Sequence, residues 1–155
     1  MKLADIVVPD ALCPKLQADS RNKAVRELVE ALADAGAIQK KNVTAITKQI
    51  LARESQATTG IGKGIALPHA KIKSIKKSVV AIGRSSDGLD FSSLDSKPVY
   101  SVILLLSSSI NPDEHLQAMG TIFRNVQRDI FRKFLIQAET KQAIMDLVTE
   151  ADEMS

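Results

Sequence analysis

Two histidines, His69 and His115, are the side chains in this sequence best suited to accept or support a transferable group. The sequence contains no other histidine. A single histidine is more often structural or simply exposed, so each one has to be judged by its neighbours. Cys13 is the only cysteine, which excludes an intramolecular disulfide and a cysteine-based zinc cluster. A catalytic zinc ion generally needs a third protein ligand, and the chain offers no convincing one, so we expect neither a metal nor a cofactor.

His69 ends a glycine-rich segment that begins at residue 58. Glycines let a backbone approach a ligand closely or adopt positive φ, and the proline before His69 restricts the chain at that point. Thr59, Gly60 and Gly62 offer hydroxyl and backbone donors that suit an anionic group. The glycine spacing fits neither a Walker A loop nor a dinucleotide fingerprint. The alternative interpretation is a surface turn with an incidental histidine.

His115 lies where a long helix should begin. Asn111 can cap this helix, Pro112 suits its first position, and Glu114 completes a spacing like that of a capping box. Helical side chains lean toward the N-terminus, so the imidazole should face the free N–H groups and the positive end of the helix dipole. That location favours a bound anion. An ordinary residue at a helix start is the alternative interpretation.

Alternating helices and strands are expected to position these residues. Apolar residues at helical spacing predict helices over 20–36, 42–53, 111–126, 130–138 and 141–151. Strands are predicted over 77–84 and 98–106, and the second is apolar enough to lie inside a sheet covered on both faces. The sequence therefore predicts an α/β fold with helices on both faces of the sheet. One domain should cover residues 1–155, with a loose end after Glu150.

Composition and charge narrow the classes of function. Aromatic residues are only 3% of the chain, so it has no set of rings for stacking bases or sugars. The net charge of +3 is small and dispersed, so we expect no nucleic-acid partner. The longest strongly apolar run, Val102–Leu106, is far too short to cross a bilayer, and the first residues lack a secretory signal. We therefore expect a cytoplasmic protein without membrane insertion.

Three stretches resemble one known family. The stretch Arg53–Ala70 closely resembles the signature of the IIA proteins of the mannitol/fructose and nitrogen-regulatory type, which belong to the phosphoenolpyruvate-dependent phosphotransferase system. Phe91–Val99 resembles the segment before that family's central hydrophobic strand, and Glu114–Leu116 resembles its second-histidine segment. The three landmarks occur in the family's order, and the resemblance spans roughly residues 2–150.

Two positions depart from the family's commonest pattern. Lys63 stands where asparagine is frequent, and Ala70 stands where glycine is frequent. Lys63 is expected to add a cation near the site. Ala70 suggests that the backbone there does not need positive φ. Both departures bear on the choice of partner and leave the chemistry unchanged.

The resemblance implies a mixed central β-sheet sandwiched between helices, and a phosphotransferase component that carries a phosphoryl group as phosphohistidine. By this resemblance His69 is the acceptor, His115 supports the phosphoryl group, and Arg53 helps with charge and positioning. We expect the phosphoryl group to be bound by Thr59, Gly60 and Gly62. The implied donor is the small histidine-containing phosphocarrier protein. Three possible functions of the chain stay open. A free-standing nitrogen-type regulator of target proteins ranks first, followed by a IIA component passing the group to a IIB domain of a sugar transporter. A binding module that is never phosphorylated ranks third.

Overall fold

The apolar run of the sequence forms the central strand of a mixed sheet. In the computed structural model, which describes residues 1–153, this strand pairs on both sides and is buried over residues 101–108. The six strands are β1 (Val7–Cys13), β2 (Gly60–Gly62), β3 (Ile65–Ala66), β4 (His69–Ile72), β5 (Val79–Leu89) and β6 (Val99–Ser108). The helices are α1 (Leu3–Ile6), α2 (Arg21–Asp34), α3 (Val43–Gln56), α4 (Pro112–Val126), α5 (Asp129–Gln137) and α6 (Lys141–Glu153). A short 3-10 helix, Lys40–Asn42, precedes α3.

The sheet order is β1-β5-β6-β3-β2, and β4 also pairs with β6. On one side β6 runs antiparallel to β5, which in turn pairs in parallel with β1. On its other side β6 pairs in parallel with β3 and then with β4, so these two short strands share one neighbour. One hydrophobic cluster lies between the sheet and helices α2 and α3, and a second lies between the sheet and the other helices. The predicted α/β sandwich is confirmed.

Alternation along β6 decides which side chains meet which helices, because successive strand residues point to opposite faces. Leu104 and Leu106 belong to the cluster beneath α2 and α3, whereas Leu105 belongs to the cluster beneath α4. His69 pairs with Leu105. Residues paired across a sheet present the same face, so His69 faces the α4 side.

Local capping fixes where the helices begin and end. The hydroxyl of Ser20 accepts a hydrogen bond from the backbone N–H of Lys23 at 3.3 Å, and Gly36 takes a φ of +78° just past the end of α2. At the start of α4, Oδ1 of Asn111 accepts from the N–H of Glu114 at 3.2 Å, with Pro112 in the first turn. The predicted helix starts at residues 20 and 111 are confirmed.

Three parts of the fold differ from the predictions. The strand β1 and the short helix α1 were not predicted. The three short strands β2 to β4 were not predicted either, and β2 and β3 lie where the sequence showed no pattern. Pro9 and Asp10 are exposed within β1, and its pairing with β5 shifts register between Val7 and Leu12, so the strand has no clean alternation. The loose end predicted after Glu150 is wrong for residues 151–153, which continue α6, and residues 154 and 155 lie outside the described range.

The two ends of the described chain meet at a side-chain cap. The carboxylate of Asp152 on α6 accepts hydrogen bonds from the backbone N–H of Leu3 at 2.6 Å and of Ala4 at 2.9 Å. These are N–H groups of the first turn of α1, which lack partners inside their own helix. The cap therefore ties the first helix to the last. No helix within residues 1–153 is long and apolar enough to cross a membrane.

Candidate active site

His69 is held by the backbone on both of its sides. It is the first residue of β4 and pairs with Leu105 of the central strand. The carbonyl of Pro68 accepts a hydrogen bond from the N–H of Leu105 at 3.0 Å, and the N–H of Leu67 donates to the carbonyl of Thr59 at 3.1 Å. The histidine is half-buried, so its ring is anchored but accessible.

The hydrogen bond made by the His69 ring fixes its neutral tautomer. Nδ1 of His69 lies 2.7 Å from the carbonyl oxygen of Leu67. A carbonyl oxygen can only accept a hydrogen bond, so Nδ1 must carry the hydrogen. In the neutral ring the other nitrogen, Nε2, then keeps its lone pair. His69 therefore has a nucleophilic nitrogen at Nε2.

The second histidine lies against the first. His115 occupies the first turn of α4 and is buried, and its Nδ1 lies 2.8 Å from the hydroxyl oxygen of Ser107 on β6. The ring centroids of His69 and His115 are 5.8 Å apart, with the ring planes inclined at 44°. The fold thus brings together the two histidines that the sequence singled out.

The surroundings of the pair favour a bound anion. Burial lowers the pKa of His115 below its ordinary value, and the nearby His69 and Lys71 lower it further. The His115 ring is therefore a neutral hydrogen-bonding group. Lys71 pairs with Ser107 in the sheet, two residues after His69 and on the same face. Its cation and the positive end of the α4 dipole both attract negative charge to this place.

Lys71 was not singled out from the sequence. The polar and apolar residues of His69, Ala70, Lys71 and Ile72 alternate, and this was the available signal for a strand that carries His69 and Lys71 on one face. The φ of Ala70 is not positive, as predicted from the presence of alanine where glycine is frequent. Ser107 gave no comparable signal because it is one of three consecutive serines.

The order of contacts along α3 indicates the height of Arg53 relative to His69 along β4, although α3 packs on the sheet face opposite to the one that His69 presents. The side chain of Gln49 on α3 donates to the carbonyl of Lys71 at 2.7 Å, and further along the chain Thr59 bonds to Leu67. The helix α3 therefore runs antiparallel to β4. Arg53 comes one helical turn after Gln49, a rise of about 5.4 Å, which roughly matches the two strand residues from Lys71 back to His69.

Glu54, the neighbour of Arg53, is engaged elsewhere. Its buried carboxylate accepts from both the backbone N–H and the hydroxyl of Thr59, each at 2.6 Å. The guanidinium of Arg53 donates through Nη1 to the carbonyl of Ala57 at 3.1 Å, which leaves most of its donor fork for another group. Glu54 thus anchors the start of the glycine-rich segment to the end of α3 and is not the partner of Arg53.

The donors of Thr59 and Gly60 are already used inside the protein. Thr59 gives both of its donors to Glu54, and the N–H of Gly60 donates to the hydroxyl of Thr58 at 3.0 Å. Gly62, with φ of +98°, pairs with Ile65 in the hairpin of β2 and β3. In this state the segment shapes the loop, and the phosphoryl-binding role of Thr59, Gly60 and Gly62 stays a prediction.

Lys63 lies at the tip of that hairpin. The following strand β3 pairs with Ser101 at Ile65, four β6 residues away from the Leu105 level of His69. Four residues of strand span roughly 13 Å. The expectation that Lys63 adds a cation near the site is therefore not met, and Lys71 is the cation that lies there. Within residues 1–153, no three His, Cys, Asp or Glu side chains come together as ligands for a metal ion.

Comparison with known proteins assigns the family. The model of the family described as "Phosphoenolpyruvate-dependent sugar phosphotransferase system, EIIA 2" matches residues 8–151. The chain belongs to this EIIA family. Its members are phosphoryl carriers of the phosphotransferase system, which gives this EIIA chain a transferase role at a general level.

Individual relatives carry two different kinds of name. The EIIA chain is 34% identical over 98% of its length to the fructose-specific EIIABC component of Bacillus subtilis, and it spans 24% of that longer protein. It is 32% identical over 96% of its length to a nitrogen regulatory protein of Bradyrhizobium diazoefficiens, of which it covers 95%.

A solved structure supports the fold. The crystal structure of the nitrogen regulatory protein IIA-Ntr from Neisseria meningitidis matches 94% of this chain and 98% of that one, with a TM-score of 0.83 at 20% identity. This likeness shows that the EIIA chain has the fold of that protein.

Proposed function

We propose that the chain is a histidine phosphocarrier that accepts a phosphoryl group on Nε2 of His69 and passes it on. The observation that carries the proposal is the bond from Nδ1 of His69 to the Leu67 carbonyl, because it leaves a lone pair on Nε2. The family supports the same role, since its members carry phosphoryl groups within the phosphotransferase system.

The proposed transfer is a displacement at phosphorus. A bond forms between Nε2 of His69 and the phosphorus atom, while the bond from phosphorus to the donor's histidine nitrogen breaks and its electron pair returns to the donor. The His69 ring gains positive charge as it shares its lone pair. The Leu67 carbonyl keeps accepting the Nδ1 hydrogen at 2.7 Å, which favours that charged ring.

The rest of the site acts on the transferring group. Negative charge spreads over the three equatorial oxygens of the phosphoryl group, so catalysis depends mainly on positioning and electrostatics. His115 is neutral and lies with its ring centroid 5.8 Å from that of His69, within reach of those oxygens. Lys71 and Arg53 supply positive charge, and the planar fork of Arg53 can bind two oxygens at once.

The proposed donor is the small histidine-containing phosphocarrier protein. The test incubates the chain with that donor, enzyme I and phosphoenolpyruvate, and follows the intact mass. We expect one added phosphoryl group, labile to acid, in the wild type and in His115→Ala, and none in His69→Ala. Uptake by His69→Ala, or a label that maps to His115, would refute the assignment.

For the output, we retain the nitrogen-type regulator as the first candidate, on the basis of the 32% identity to a nitrogen regulatory protein that the chain covers almost completely. The 34% identity to a fructose-specific component favours a sugar-transport role as the second candidate. The phosphorylated chain, mixed with a fructose-type IIB domain, separates the two. Rapid transfer to the IIB cysteine supports sugar transport, whereas a stable phosphoprotein under the same conditions supports regulation.

A further inference from the structure

Ser107 is a buried hydroxyl behind the second histidine. It lies near the end of the central strand, is fully buried, and places Oγ 2.8 Å from Nδ1 of His115. It faces α4, because it follows Leu105 by two residues on the same strand. The sequence did not single it out, and the proposed transfer does not yet use it.

Burial decides the direction of this hydrogen bond. Among residues 1–153, His115 is the one recorded partner of the Ser107 hydroxyl. If Nδ1 of His115 donated the hydrogen, the hydroxyl hydrogen of Ser107 would be left buried without an acceptor, at a cost of about 1–3 kcal/mol. If the hydroxyl donates instead, both groups are satisfied. The Ser107 hydroxyl is therefore the donor and Nδ1 of His115 is the acceptor.

The tautomer of His115 follows from this direction. Because the ring is neutral, an accepting Nδ1 leaves the single ring hydrogen on Nε2. His69 has the opposite tautomer, since its Nδ1 donates to the Leu67 carbonyl. One ring therefore offers a lone pair at Nε2, while its neighbour offers a hydrogen there. This is the combination that a nucleophile and a hydrogen-bond donor to phosphoryl oxygens require.

We propose that Ser107 is a positioning residue that holds His115 in its Nε2–H tautomer and fixes the orientation of the ring, so that His115 donates a hydrogen bond to the phosphoryl group transferred to His69. The role in transfer rests on the proposed function, whereas the tautomer does not. Ser107 acts only through His115 and does not touch the group itself. Partners that orient metal-ligating histidines in this way change affinity or activity about 10- to 100-fold when removed. We expect a smaller effect for a histidine that donates a hydrogen bond instead of ligating a metal.

The chain offers a matched control on the same strand. Ser101 is also fully buried on β6, and its hydroxyl makes no hydrogen bond within the described chain. Ser101 and Ser107 are separated by an even number of positions, so they present the same face of the sheet. Ser101→Ala therefore removes an equally buried hydroxyl that holds no histidine.

The first measurement reads the tautomer in the unphosphorylated protein by nitrogen NMR of the histidine rings. We expect a fixed Nε2–H ring for His115 in the wild type, in Ser101→Ala and in the rescue variant Ser107→Thr. In Ser107→Ala the two ring nitrogens should move toward the averaged shifts of a mixture. A wild-type His115 with its hydrogen on Nδ1, or a Ser107→Ala spectrum unchanged from the wild type, would overturn the proposal.

The second measurement is the rate of phosphoryl uptake. We expect Ser107→Ala to slow it about 3- to 10-fold, with Ser101→Ala unchanged. In a His115→Ala background, Ser107→Ala should have no further effect, because its route of action is gone. An additional loss in that background would show a merely structural role and refute the proposal. Failure of the wild type to accept any phosphoryl group would refute the proposed function, and the NMR result would still decide the tautomer.

Discussion

The turn at Lys63 holds a lysine in a conformation that lysine disfavours. Its φ is +58°, and the flanking Gly62 and Gly64 also have positive φ, at +98° and +77°. The left-handed region costs an ordinary residue roughly 1–2 kcal/mol, whereas glycine and asparagine enter it more readily. This conformation suits asparagine, the residue that the family resemblance leads us to expect here, better than it suits lysine. The contact that the Lys63 backbone makes, N–H to Oδ2 of Asp95 at 3.0 Å, does not depend on its side chain.

We expect Lys63→Gly to stabilise the protein. Relief of about 1–2 kcal/mol of backbone strain is partly offset by the greater freedom of glycine in the unfolded chain, about 0.4–1 kcal/mol. The net gain should be roughly 0.5–1 kcal/mol, which raises the melting temperature by about 1–4 °C in a domain of this size. Thermal unfolding followed by calorimetry or circular dichroism measures this shift.

Lys76→Gly is the matched control for this prediction. Lys76 is also an exposed lysine outside regular structure, but it is not among the residues with positive φ. Both variants lose one positive charge, so a difference between them reports the backbone. Lys76→Gly should lower stability by about 0.5–1 kcal/mol. Equal losses of stability in the two variants would refute the assignment of strain to Lys63.

The remaining predictions concern the histidine site. His115→Ala should slow phosphoryl uptake roughly 100-fold or more, measured by rapid quench, since loss of one active-site donor commonly costs a few kcal/mol; an unchanged rate would make His115 an ordinary helix-start residue. Arg53→Lys should keep partial transfer and Arg53→Ala should lose most of it with the fold intact, because lysine keeps the charge but not the fork; equal rates in both and in the wild type would contradict this. Because the pKa of His115 is lowered in the folded protein, the unfolded chain binds a proton at this histidine more tightly. Keeping His115 neutral therefore contributes its full free energy of unfolding well above pH 6.5, the ordinary pKa value, and this contribution is lost as the pH falls below that value. Denaturant unfolding at pH 7.5 and 5.5 should therefore show a smaller acid loss in His115→Ala than in the wild type.

The long elements could be predicted from the sequence because their signals are local. Ser20 and Asn111 each supply a side-chain oxygen to a backbone N–H three residues later, and this pattern can be read directly from residue types. The central strand was identifiable from its apolar run. The strand β1 was not, because Pro9 and Asp10 interrupt it and its pairing shifts register. A strand of this kind is defined by its neighbour β5 and not by its own residues.

The site was predictable in its chemistry and only partly in its geometry. His69 and His115 could be named from their settings, and the fold brings their ring centroids within 5.8 Å. The sequence did not reveal that Thr59 gives its donors to Glu54, because both residues look equally available when the chain is read in order. The role of Ser107 could be recognised only from the register of the sheet and from the packing of α4 against it. Contacts between distant segments depend on tertiary packing, which local patterns do not encode.

The cap that Asp152 places on α1 joins the two ends of the fold in space. Because Leu3 and Asp152 are in direct contact, a flexible linker of a few residues could connect the ends without disturbing the sheet. The domain can therefore be inserted within a longer polypeptide through two short linkers that lie side by side. It can also be circularly permuted, with the new ends placed in an exposed loop. Insertion and permutation of this kind need no redesign of the core, because the first and last helices are already in contact.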